Sequence, residues 1–188
     1  MGQQIRQTLS FAVFFILLTV IFALPLFASP LVSSGSAATD INYSLPYPGL
    51  LPDNPLYVLK AVRDKIVSML ISDPKSKAEF DLLQADKRLS GAFVLSKQYP
   101  VKGQLVVDTI SKGENYFSFA LGQAKLAHDQ GVEVNGLLDQ LENAAGKHEQ
   151  VILGIESGLS KKDSEQLAFE AKRVSDFISQ AKKIRSQK

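Results

Sequence analysis

Apolar residues that recur at alternating three- and four-residue steps constrain this chain more than any other feature. Ala78, Leu82, Ala85, Leu89 and Ala92 give the cleanest case. Side chains spaced this way fall on one face of a helix, and that face is buried only by packing against a neighbour. Four other segments repeat the pattern. Leu59, Val62, Ile66, Met69 and Leu70 precede it, while Val106, Ile110, Phe117, Ala120, Ala124 and Ala127 follow it. A fourth line runs through Val134, Leu138, Leu141, Ala145, His148, Ile152 and Ile155, and a fifth through Leu167, Ala171, Val174, Ile178 and Ala181. No stretch after Thr39 alternates with a period of two. The predicted fold is all-α, an antiparallel bundle of about five amphipathic helices with short connections.

Local signals punctuate these stripes. Asp53 or Asn54 can cap the first helix, with Pro55 in its first turn. Asp73-Pro74 stops the first helix and opens the second, and Tyr99-Pro100 closes the second. Phe80, Leu83 and Phe93 widen the second stripe towards further neighbours. Gly113 and Gly122 are expected to let another helix come close to the third. Gly131 and Gly158 end the third and fourth helices, and Ser160 caps the fifth.

Ahead of the bundle the chain changes character. Residues 1–38 carry one charge, Arg6, followed by an uncharged apolar run from Leu9 to Ala28. The run fits an export signal, with Ser36-Ala37-Ala38 as a cleavage site, and equally an uncleaved membrane anchor. In both cases the flanking Arg6 points to a cytoplasmic N-terminus with everything else on the far side of the membrane. Residues 39–54 follow as a strap, stiffened by Pro46, Pro48 and Pro52 among tyrosines and leucines. It is expected to clasp the helices; a partner groove lined by its tyrosines is the alternative. Residues 55–188 make up the bundle domain.

The stretch LPYPGLLPDNPLYVLKAVRDKIVSMLISDPKSKAEFDLLQADKRL, from Leu45 to Leu89, resembles domain of unknown function family 5667. The likeness rests on Leu51 to Lys60, on Asp73-Pro74 and on Ala85 to Leu89. It implies an exported helical module behind a signal or membrane segment. It carries over no catalytic residue.

Composition narrows the function. There is no cysteine, so disulfides, thiolate chemistry and a cysteine-borne lipid are all excluded. From Thr39 onward 20 basic residues face 19 acidic ones, a balance unlike that of a nucleic-acid binder. The glycines form no phosphate loop, and the serines no nucleophile elbow. No cofactor is expected.

A few polar residues still single themselves out. Arg63 and Asp64 on the first helix, with Asp86, Lys87 and Arg88 on the second, form a candidate structural network that fixes helix register. His148 lies on an apolar stripe, where a bundle-edge imidazole with one hydrogen-bond partner is expected; it is also the candidate metal or ligand contact. His128-Asp129 suits the end of the third helix. In the C-terminal stretch, Lys172, Arg173, Lys182, Lys183, Arg185 and Lys188 complement a helix dipole or meet an anionic envelope polymer.

The expected role is therefore non-enzymatic: an extracytoplasmic interaction or structural module of the cell envelope. Its partner would be a protein or envelope polymer, with the N-terminal segment meeting the membrane. A ligand- or metal-sensing bundle is the alternative, and an envelope hydrolase with an unmarked carboxylate pair is a more distant one.

Overall fold

Three of the predicted punctuation marks operate as written: Asp73-Pro74, Gly131 and Ser160. The Asp73 carboxylate accepts the Ser76 N–H at 2.7 Å, and Pro74 follows as the first residue of a helix. Gly131 takes a left-handed φ of 78°. That conformation lets its N–H reach the His128 carbonyl and the Val132 N–H reach the Ala127 carbonyl, which closes the preceding helix. Ser160 caps the last helix through the Asp163 N–H. The first helix departs from the prediction. Its N-cap position falls to Leu56 without a side-chain hydrogen bond, because the Asn54 side chain accepts the Leu56 N–H at 2.9 Å in the preceding turn. Pro55 lies ahead of the helix, which starts at Tyr57.

The computed structural model describes residues 42–98, 102–156 and 159–187. The leader, the first residues of the strap, Tyr99-Pro100, Gly158 and Lys188 lie outside the described residues. Among the described residues there are five helices and no strand. They are α1 (Tyr57–Leu70), α2 (Pro74–Gln98), α3 (Gly103–Asp129), α4 (Asn135–Glu156) and α5 (Lys161–Ser186). The all-α prediction therefore holds. None of these helices is long and apolar enough to cross a membrane.

Helices α2 to α5 enclose one core. The predicted stripes of α2, α3 and α4 are buried along their whole length, and that of α5 is buried except for the half-buried Ile178. Helices α2 and α3 form one hairpin and α4 and α5 another. Within each hairpin consecutive helices run antiparallel, as the short connections predict, while across the hairpins the neighbours run parallel. Lys75 at the start of α2 bonds the Glu133 carbonyl just before α4, and Arg173 of α5 bonds Asn115 at the matching depth of α3. At Gly113 the α2–α3 approach is so close that a Cβ would stand 3.3 Å from the Ala85 carbonyl oxygen. Gly122 has no such neighbour, and Leu83 and Phe93 face outward at 39% and 38% exposure. Those three expectations fail because, among the described residues, four helices form the bundle at this level and none of them covers these flanks of α2 and α3.

Helix α1 is the missing fifth member. Its stripe was expected to enter the core, but Leu59, Val62, Ile66, Met69 and Leu70 are all more than half exposed. The only residue of α1 that is buried is Asp64. The opposite face, with Tyr57, Lys60, Asp64 and Ser68, is the one shielded from water. The strap explains why. Tyr43, Leu45 and Leu51 lie on the core, and Pro48 and Leu51 cover Gly91 of α2. That surface is then no longer open to α1. Lys60 ties strap to helix, donating to the Pro48 carbonyl at 2.7 Å and more weakly to that of Leu50. Burial pulls the Lys60 amine down to about 8; the Asp64 charge opposes this and the Arg88, Lys87 and Arg63 charges reinforce it.

Candidate functional site

Three helices carry an ionisable residue at a position their core stripe should give to an apolar one. Asp86 lies four residues after Leu82 and three before Leu89 on α2. Glu114 stands in the same relation to Ile110 and Phe117 on α3, and His148 falls between Ala145 and Ile152 on α4. Each lies 11 to 13 residues beyond the first residue of its helix, so the parallel start of α2 and α4 and the α2–α3 hairpin bring them to one level.

They meet there. His148 Nδ1 lies 2.8 Å from Glu114 Oε1, and Nε2 lies 2.9 Å from Asp86 Oδ1. Tyr43 of the strap donates its hydroxyl to the other oxygen of Asp86 at 2.6 Å. The result is a polar chain, Tyr43–Asp86–His148–Glu114, running from the strap into the core. His148 and Glu114 have no exposed surface. Phe117 sets its edge against the imidazole at a centroid distance of 5.1 Å, and Phe177 of α5 stacks on Phe117 at 5.0 Å. Aromatic rings therefore wall the site on the α5 side.

The electrostatics follow from this enclosure. Burial alone would drive a proton off the imidazole, but the Glu114 charge and the hydrogen bonds from both carboxyl groups outweigh it. His148 is held at about 9 and is an imidazolium at neutral pH, donating from both nitrogens. Tyr43 is pushed well above the usual phenol range, first by burial and then by the Asp86 charge, so it stays a donor. Glu114 Oε2 is buried and finds no hydrogen-bond partner among the described residues.

This differs from the bundle-edge imidazole with one partner: His148 is fully buried and has two. The two ring nitrogens point in opposite directions, so Asp86 and Glu114 flank the ring and do not converge with it on a point. Among the described residues no group of three or more such side chains is placed to hold a metal ion.

The proposed register network divides in two. Arg63 pairs with its neighbour Asp64 at 2.8 Å, on α1. Asp86 turns away to His148 and Tyr43. Arg88 donates to the Gln84 side chain and carbonyl, and its guanidinium lies 4.0 Å from the centre of the Tyr116 ring. Lys87 is half-buried and contributes to the field that depresses Lys60. In the C-terminal stretch Arg173 and Arg185 reach side chains of neighbouring helices. Arg173 bridges Glu170 and Asn115, and Arg185 reaches Asp139 and Glu142.

Sequence reasoning missed Glu114 and the Tyr43 hydroxyl. The signal for Glu114 was present, since a carboxylate between Ile110 and Phe117 sits in core register and needs a buried partner. Nothing local marks Tyr43, because its partner is 43 residues away. Compared with family models, curated proteins and solved structures, the chain matches none.

Proposed function

We propose that the chain is a non-catalytic helical module of the cell envelope, held at the membrane by its N-terminal segment and acting through its outer surfaces. One observation supports this most: Asp86, His148 and Glu114 bond one another in the interior, while a continuous apolar face of α1 is turned to water. A catalytic acid pair must reach a substrate. Asp86 and Glu114 instead hold an imidazolium between them, behind Phe117 and under the strap. An exposed apolar stripe, by contrast, is the mark of a surface that meets something. The uncharged run from Leu9 to Ala28 supplies the tether, and the balanced charge from Thr39 onward favours a protein or envelope polymer over nucleic acid.

The test is topology in intact cells that express the full chain with a C-terminal epitope. The proposal predicts that the epitope travels with the envelope fraction and is destroyed by protease added outside. An epitope that stays in the soluble interior, protected until the cells are lysed, contradicts it.

A further inference from the structure

The outward face of α1 is apolar over its full length. Val58, Leu59, Val62, Ile66, Met69 and Leu70 are each at least 52% exposed, and they follow one another along a single side of 14 residues. Cations edge the stripe. Lys65 is exposed on one flank; Arg63 is half-buried on the other and pairs at 2.8 Å with Asp64, the only acid of the helix. Lys87 and Arg88 of α2 lie close enough to act on Lys60, with Asp64 as the opposing charge. The sequence adds a limit on distance. The apolar run ends at Ala28 and the described chain begins at Asn42; the 13 residues between them span at most about 45 Å.

We propose that α1 is an interfacial helix, and that its Val58–Leu70 stripe sinks into the headgroup region of an anionic lipid bilayer. This rests on the tethered reading above and names the surface that reading leaves open. An apolar stripe with cations at its edges is how a helix lies in a bilayer interface: the stripe meets the acyl boundary and the cations meet the headgroups. A second copy of the chain fits less well. A twofold contact would place Lys65 and Arg63 of one copy against those of the other. Six side chains also fall well short of the roughly 20–30 residues a side in a stable protein interface.

The absence of cysteine makes the test clean. Single variants Val62→Cys and Ile66→Cys of the full chain, labelled with a polarity-sensitive fluorophore, are reconstituted into vesicles carrying a lipid-borne quencher. Asn143→Cys on the exposed flank of α4 reports the bundle, and Ile16→Cys reports the apolar run. The expected result is a several-fold stronger quenching at positions 62 and 66 than at 143, greater on phosphatidylglycerol vesicles than on phosphatidylcholine and weakened by salt. Quenching at 16 with positions 62 and 66 reading as water overturns the interfacial helix and leaves the tether standing. No quenching at 16 removes the tether, and quenching at 62 and 66 would then support the helix alone. Labels at 62 and 66 that couple to those on another copy, without lipid quenching, overturn the proposal in favour of self-association. Equal quenching on both lipids overturns the commitment to an anionic surface.

Discussion

The α2–α4 interior and helix α1 invert each other. Inside the bundle, Asp86, Glu114 and His148 occupy apolar positions and survive because they meet at the same level. On α1, apolar side chains occupy the outside, and the polar face with Asp64 and Lys60 turns inward. The same periodic pattern was thus written twice and used in opposite ways. Periodicity says that a helix has two faces; it does not say which one the rest of the molecule wants.

The comparison breaks most readily at His148. His148→Ala leaves two buried carboxyl groups facing a cavity, and unfolding in urea should show a loss of about 3–5 kcal/mol. A loss below about 1 kcal/mol would mean that the interior does not depend on the imidazolium. The next largest effect is on pH. The folded imidazole is held at about 9 against an ordinary value of 6.5, so its contribution is complete below about 6.5 and is lost as pH rises through about 9. That window should carry on the order of 3 kcal/mol in the native chain and little of it in His148→Gln. Tyr43→Phe removes one donor from Asp86 and unlatches the strap, with an expected cost of about 1–2 kcal/mol.

Smaller effects sharpen the contrast. Asp81 is buried, and that burial raises its carboxyl to about 6, with Lys77 opposing. A folded value above the unfolded one means that stability falls as pH rises from about 4 through about 6. Asp81→Asn should therefore stabilise the chain at pH 7 by roughly 1 kcal/mol and do nothing near pH 4, as thermal melts at the two pH values would show. On α1, Ile66→Ser should change stability by less than about 0.5 kcal/mol, because Ile66 is exposed already. A loss as large as that of a core isoleucine would show that α1 packs inward after all.

The sequence was most legible where one residue settles one local question. Asp73, Gly131 and Ser160 fixed helix ends because a cap or a left-handed turn needs only near neighbours. Stripes were legible for the same reason. What escaped were decisions made between elements. The strap took the surface of α2 that α1 might have covered, and nothing in either segment announces that choice. Parallel pairing of α2 with α4 set Asp86 opposite His148, which the spacing within α2 does not reveal. Asp86 drew attention for its company with Lys87 and Arg88, yet its partners lie 43 and 62 residues away.

The most direct measurement is the nitrogen chemical shift of the His148 ring, followed by NMR from pH 5 to 10 in the full chain. A solvent-excluded imidazolium between Asp86 and Glu114 predicts two protonated nitrogens at neutral pH, a midpoint near 9 and ring protons that exchange slowly with water. A neutral ring at pH 7 with a midpoint near 6.5 and rapid exchange would contradict it, and would return the site to solvent and to the chemistry that solvent access allows.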